Sequence, residues 1–71
     1  MENFEAALID ILEVDSIEMN DDLESFDAWD SLTILSIISY CLDEYNVPLS
    51  ADEIEDAITI SGLKELVKSK I

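Results

Sequence analysis

The sequence of 71 residues contains no histidine, a single glycine, a single proline and a single cysteine. Without histidine, the chain lacks the usual imidazole base and the commonest nitrogen ligand for zinc. The lone Cys41 cannot form an intramolecular disulfide. One glycine is too few for a glycine-rich phosphate loop or for the turns of a small β-sheet. These absences exclude nucleotide-loop and all-β folds, and we expect neither catalytic residues nor a metal site.

Basic residues are also scarce. Arginine is absent, and 18 Asp and Glu residues stand against 3 lysines, which gives a formal net charge of −15. The lysines are Lys64, Lys68 and Lys70, so residues 1–63 have no basic side chain. Such a charge repels phosphate backbones and anionic lipid headgroups and attracts basic protein surfaces. We therefore expect protein partners, and neither nucleic acid nor membrane.

The apolar residues argue for a folded chain despite this charge. They make up 49% of the sequence, whereas disordered chains are poor in large aliphatic side chains. No repeat or glycine- and proline-rich linker divides the chain, which predicts one domain over residues 1–71. The apolar runs are short and Met1 is followed by acidic residues, so we expect no signal peptide or spanning segment. We expect a monomeric, cytoplasmic protein.

Apolar periodicity and capping signals predict four helices. Phe4, Leu8 and Leu12 recur at helical spacing, with Glu2 and Glu5 on the opposite side. A long polar loop then covers residues 15–29. The second helix begins at Asp30 and ends near Tyr45, where Asn46 and Pro48 follow. The short third helix begins at a capping box of Ser50 and Glu53. The fourth helix begins at Thr59. The fold class predicted is an all-α four-helix bundle with a long first loop and a short third helix.

The second helix has one residue out of place. A helical wheel puts Leu32 among the polar residues, although burial would favour such a side chain by roughly 1.5–3 kcal/mol. Either a partner or the loop covers Leu32, or it is an ordinary exposed aliphatic residue. The wheel places the apolar side at Ile34, Leu35, Ile37, Ile38, Cys41, Leu42 and Tyr45, and the exposed side at Thr33, Ser36, Ser39, Tyr40, Asp43 and Glu44.

Ser31 occupies the first position of this helix, where we expect its hydroxyl to project from the helix end beside backbone N–H groups that have no intrahelical acceptor. A phosphodiester on its hydroxyl would meet the positive end of the helix dipole. The carboxylate of Asp30 opposes that anion and competes for the same donors. Taken alone, the pair is better explained as residues that only cap a helix.

Asp30-Ser31-Leu32, at the start of the second of four helices and after a long loop, resembles the Asp-Ser-Leu motif of acyl carrier and peptidyl carrier proteins. In that family the motif carries a 4′-phosphopantetheine arm. The resemblance covers residues 4–70, including the Val47-Pro48-Leu49 stretch. It implies that Ser31 is the covalent attachment site, that Asp30 caps the helix and contacts the modifying enzyme, and that Leu32 contacts that enzyme and later partners.

The resemblance also implies the partners: a phosphopantetheinyl transferase, an acyl- or aminoacyl-loading ligase and downstream enzymes of fatty-acid or specialised-metabolite biosynthesis. The chain itself would be a non-catalytic carrier. In the family the second helix is the main recognition surface and is usually acidic. Here that surface would comprise Leu32, Thr33, Ser36, Tyr40, Asp43 and Glu44, with loop acids Asp21, Asp22, Glu24 and Asp27 adding charge.

Two other functions are compatible with the residues. The first is an unmodified acidic helical adaptor that binds basic protein surfaces, in which Ser31 only begins a helix. The second is a hydrolase that uses paired carboxylates such as Asp52 and Asp56. The hydrolase is the weaker alternative, because those residues have the pattern of a solvated helix face.

The net charge generates a prediction about stability. A single core of this size supplies about 3–5 kcal/mol, and unpaired carboxylates reduce it by mutual repulsion. Raising NaCl from about 0.01 M to about 0.1 M shortens the Debye length from about 30 Å to about 10 Å. We expect this change, or a divalent cation, to raise the Tm in a circular-dichroism melt. A Tm that responds to neither would contradict the repulsion argument.

Overall fold

The computed structural model describes residues 3–71, so the predicted helical position of Glu2 lies outside the described residues. Its helices are α1 (Phe4–Leu12), α2 (Ser31–Tyr45), α3 (Ala51–Ala57) and α4 (Ile60–Lys70). A single 3₁₀ turn, Leu23–Ser25, interrupts the long first loop. The predicted all-α bundle with a short third helix is confirmed. No helix within residues 3–71 is long and apolar enough to cross a bilayer.

All four helices contribute to one core. In α1 the buried side chains Phe4, Leu8 and Leu12 are four residues apart and form one stripe, as the sequence predicted. Removal of such side chains from water is the main favourable term in the folding of this domain. The buried apolar residues are Phe4, Leu8, Leu12, Leu23, Ile34, Ile37, Cys41, Val47, Leu49, Ile54, Ile60, Leu63 and Val67.

The ends of α2 lie where the capping signals place them. A carboxylate oxygen of Asp30, Oδ1, accepts a hydrogen bond from the Thr33 N–H at 2.9 Å. At the other end Asn46 adopts the left-handed conformation, with φ 56°, and its N–H bonds to the Leu42 carbonyl at 3.0 Å. Asparagine tolerates this conformation better than most residues, which explains why the helix ends at Tyr45.

Side-chain caps also define the two C-terminal helices. Ser50 and Glu53 form the predicted capping box at the start of α3. The hydroxyl of Thr59 accepts a hydrogen bond from the Gly62 N–H at 3.0 Å and so caps α4. Both signals are local in sequence, and both predictions are confirmed.

Backbone hydrogen bonds tie the long loop to the α3–α4 junction. The Leu23 N–H donates to the Ile58 carbonyl at 2.8 Å, and the Ile60 N–H donates to the Asp21 carbonyl at 3.0 Å. The Ser61 N–H donates to the Met19 carbonyl at 2.8 Å. The loop carbonyls therefore satisfy two of the N–H groups at the start of α4 that have no intrahelical acceptor. This pairing holds the loop against the bundle.

Ile58 is in a strained turn at the same junction. Its φ is 70° and its ψ is −50°, and the Thr59 N–H bonds back to the Ala57 carbonyl at 2.7 Å. This geometry is that of a γ-turn of the rare type, which costs about 1–3 kcal/mol and is especially unfavourable for a β-branched residue. The hydrogen bonds on either side of Ile58 hold the turn in place.

Two ion pairs connect α4 to its neighbours. Lys64 pairs with Glu5 of α1, and Lys70 pairs with Glu53 of α3 at 2.8 Å. The hydrogen bond from Lys70, and then that from the Ser50 N–H, lower the pKa of Glu53. A lowered pKa in the folded state means that the contribution of Glu53 to stability is present at neutral pH and is lost as the pH falls through that pKa.

Gly62 is required by the close approach of α4 to the end of α3. A Cβ atom at this position would lie 2.0 Å from the carbonyl oxygen of Ala57. That oxygen belongs to the backbone of the strained turn and cannot rotate away as a side chain could. The single glycine of the chain therefore lies where any other residue would force the helices apart.

We predict that Gly62→Ala destabilises the fold, although alanine normally favours a helix over glycine by about 1 kcal/mol. The overpacking should lower the free energy of unfolding by about 2–3 kcal/mol in a urea titration. Glu65→Ala is the control, because Glu65 is exposed on the same helix, and its effect should stay within about 0.5 kcal/mol. A Gly62→Ala protein as stable as the parent would contradict the predicted clash.

Candidate functional site

Ser31 is the first residue of α2 and its side chain is exposed. No atom among residues 3–71 forms a hydrogen bond with its hydroxyl. By contrast, the hydroxyl of Ser36 in the next turn donates to the Leu32 carbonyl at 3.0 Å. The Ser31 side chain is thus exposed at the helix end, as the sequence predicted, and its hydroxyl has no hydrogen-bond partner within residues 3–71.

The backbone around Ser31 leaves room for an anion. Asp30 is extended, and its carboxylate and carbonyl accept from the N–H groups of Thr33 and Ile34. The N–H groups of Ser31 and Leu32 have no acceptor within the described part of the chain. They add to the positive end of the helix dipole, which favours a nearby anion by about 0.3–1 kcal/mol at an exposed site. The Asp30 carboxylate works against this attraction.

Thr33 is buried, so its predicted place on the exposed side of the helix is wrong. Only 8% of the residue is accessible, and its hydroxyl donates to the Ala28 carbonyl at 2.5 Å. The wheel treated threonine as a polar surface residue, but its hydroxyl can satisfy an inward-facing carbonyl of the preceding loop. Its side chain therefore faces the loop and not the exposed side of the helix. It holds the end of the loop against the first turn of α2 instead.

The structure confirms that Leu32 is exposed, with 73% of its surface accessible. Neither the loop nor another helix covers it. Leu35 and Leu42 are also exposed, at 58% and 47%, although the wheel placed both in the core. The buried side of α2 is narrower than predicted, because only Thr33, Ile34, Ile37 and Cys41 are fully covered by neighbouring elements. Leu32, Leu35 and Leu42 therefore form an exposed apolar strip along one side of α2.

The other residues predicted to contact partners do not all lie close to one another on α2. Ser36 is exposed in the second turn, whereas the exposed Asp43 and Glu44 lie near the far end, about 18 Å along the axis from Ser31. Tyr40 is half-buried, and its ring packs edge-on against Tyr45 at a centroid distance of 5.7 Å. The exposed side of α2 thus carries apolar side chains from Leu32 to Leu42, and carboxylates only near its C-terminal end.

Two of the loop acids, Asp22 and Glu24, line a groove that the sequence did not predict. Asp22, Glu24 and Asp27 are exposed, while Asp21 accepts a hydrogen bond from the Glu18 N–H at 2.9 Å. Residues 22–25 and Trp29 form one wall of the groove, and Glu55 and Ile58 form the other. A tryptophan within an acidic loop is the only sequence feature that could have indicated it.

The other candidate reactive groups are Cys41, Asp52 and Asp56. Cys41 is fully buried, and burial raises the pKa of its thiol to about 11. Asp52 and Asp56 are exposed on α3, as expected for a solvated face. Among residues 3–71 no three potential ligands of the His, Cys, Asp and Glu types lie close enough together to hold a metal ion.

Comparison with solved structures identifies the same arrangement of helices in another protein. The chain is similar to the solution NMR structure of holo acyl carrier protein from Geobacter metallireducens, with a TM-score of 0.78 and 20% sequence identity. The similarity covers 97% of this chain and 82% of that one. No protein-family model matches the sequence, and a search of curated proteins gives no significant match. This chain has the fold of an acyl carrier protein.

Proposed function

We propose that this chain is a carrier protein that bears a 4′-phosphopantetheine arm on Ser31. The observation that carries the proposal is the exposed hydroxyl of Ser31 at the start of α2, which has no hydrogen-bond partner in the described part of a chain that has the fold of an acyl carrier protein. The arm supplies a terminal thiol that holds acyl or aminoacyl groups as thioesters. Residues 1–71 would act as one carrier domain, with no chemistry of their own.

The modification itself requires one bond to form at Ser31. Its Oγ attacks the phosphate of coenzyme A that bears the pantetheine chain, and an O–P bond replaces the O–H bond. Adenosine 3′,5′-bisphosphate is the leaving group, and the serine proton passes to the transferase or to solvent. The atoms therefore balance without any further reactant.

The residues around Ser31 fit such a phosphodiester. The unpaired N–H groups of Ser31 and Leu32 favour an anion on the serine oxygen, while the carboxylate of Asp30 limits how strongly the anion is held. Two hydrogen bonds also fix the first turn of α2. The Asp30 carboxylate accepts one from the Thr33 N–H, and the Thr33 hydroxyl donates the other to the Ala28 carbonyl. These bonds would hold the attachment point in a defined position relative to the helix.

Partner enzymes would approach along the exposed side of α2. The apolar strip of Leu32, Leu35 and Leu42 begins one residue after Ser31, and the exposed Ser36 lies beside it. Asp43 and Glu44 add negative charge at the far end. A transferase, a loading ligase and downstream enzymes must each bind and release the same carrier. Charge attraction speeds such encounters, and a small apolar contact completes them without slow release.

The rival function, an unmodified acidic adaptor, uses the same charge but has no use for an accessible hydroxyl at position 31. Both functions predict binding to basic proteins that weakens with salt. Only the carrier requires covalent change at Ser31. The modification reaction therefore separates them.

We predict that a broad-specificity phosphopantetheinyl transferase with coenzyme A adds one phosphopantetheine mass to the purified chain. Intact-protein mass spectrometry measures the product. Ser31→Ala should abolish the addition, because the acceptor oxygen is gone. Ser39→Ala is the matched control: it removes an exposed serine hydroxyl about two turns later on the same helix, outside the predicted recognition residues, and the addition should remain.

Two results of this experiment would contradict the proposal that Ser31 carries the arm. If the mass stays unchanged with a transferase that modifies a known carrier in the same tube, the adaptor is favoured. A Ser31→Ala protein that still gains the mass would place the attachment at another residue.

A further inference from the structure

The groove between the first loop and α3 is separate from the exposed strip of α2. Its volume is about 380 Å³, and it is lined by residues 22–25, Trp29, Glu55 and Ile58. This volume is near the lower end of the roughly 300–1,000 Å³ of typical small-molecule sites. Exposed residues line it on both sides, so it is open to solvent. Its size and openness suit one long side chain of another protein.

The floor and walls of the groove combine aromatic and aliphatic surface. Leu23 is buried beneath it with 1% of its surface accessible, and Trp29 is half-buried. Ile58 is 64% exposed, and the strained γ-turn holds it in this position. An aliphatic side chain presented to solvent by a strained backbone is a feature of contact surfaces rather than of the core.

Carboxylates surround this apolar surface. Asp22, Glu24 and Glu55 all line the groove and are exposed. The ion pairs of the described residues join Lys64 to Glu5 and Lys70 to Glu53, and none of these four residues lines the groove. The negative charge of the groove is therefore not balanced from within residues 3–71. A cationic group of a partner would complement it.

We propose that this groove docks an arginine side chain of a partner protein, flanked by an apolar residue that contacts Ile58. A guanidinium is planar and weakly hydrated, stacks on aromatic surfaces such as Trp29, and pairs with carboxylates through two parallel hydrogen bonds. A lysine ammonium is more strongly hydrated and lacks the planar surface. The carboxylates of the groove repel an anionic ligand, and a purely apolar one would leave their charge unbalanced.

The groove also lies close to the attachment site along the chain. Trp29 is two residues before Ser31, and Ala28 between the loop and the helix is held by Thr33. A partner anchored here would approach Ser31 from the loop side, while the α2 strip remains available. The proposal does not require Ser31 to be modified, and the test can therefore use a chain that cannot be modified.

The test is an NMR titration of ¹⁵N-labelled Ser31→Ala protein with the peptide acetyl-Leu-Arg-Leu-amide. Trp29 is the only tryptophan, so its indole N–H signal reports on the groove without further labels. We expect saturable shifts at this signal and at the amides of residues 22–25 and Ile58. The same peptide with citrulline in place of arginine keeps the shape but loses the charge, and should bind about tenfold more weakly.

Variants in which amides replace carboxylates test whether the peptide binds in the groove. Glu24→Gln with Glu55→Gln removes two groove carboxylates, neither of which has a hydrogen-bond partner within residues 3–71, and should weaken binding about fivefold. Asp15→Asn with Glu65→Gln removes the same charge from exposed positions outside the groove, and should have little effect. Circular dichroism checks that each variant is folded. Equal weakening in both pairs, or no saturable shift of the Trp29 indole, would overturn the proposal.

Discussion

Backbone hydrogen bonds between the first loop and the α3–α4 junction are the constraint on which the rest of the structure depends. The loop has no basic side chain, so ion pairs cannot draw it toward the acidic helices. Backbone hydrogen bonds and the burial of Leu23 hold the loop in place instead of ion pairs. Once the loop is held, its last residues have a defined position, and the Thr33–Ala28 bond transmits that position to the start of α2. The orientation of Ser31 is therefore a product of loop packing as much as of the helix.

Placement of the lysines divides the molecule into two electrostatic regions. Lys64 and Lys70 neutralise Glu5 and Glu53, so the compensating charge lies on α4 and on the parts of α1 and α3 that face it. The loop, the groove and the far end of α2 have no such compensation. The carboxylates that oppose folding there are the same groups that can attract basic partners. The predicted low stability and the proposed attraction of basic partners would thus have one source.

Helix boundaries could be predicted because their signals are local. Asp30, Ser50, Asn46 and Thr59 each act on residues within one turn, and the structure places all four as predicted. Burial on α2 was harder to predict, because a helical wheel does not show which side of the helix a short neighbouring helix such as α3 covers. Leu35 was therefore misplaced. The loop pairing and the turn at Ile58 depend on contacts distant in sequence, and a β-branched residue gives no local indication of positive φ. The exposure of Ser31 was predicted correctly, whereas its modification remains a prediction.

The burial of Cys41 has a consequence for a carrier of thioesters. Acyl groups pass readily between thiols, and the attacking species is the thiolate. A thiol with a pKa of about 11 and no accessible surface has almost no thiolate at neutral pH and cannot reach an acyl group outside the bundle. In the proposed carrier, the core cysteine would therefore give the cargo no second attachment point, and thiol exchange would be confined to the terminal sulfur of the arm.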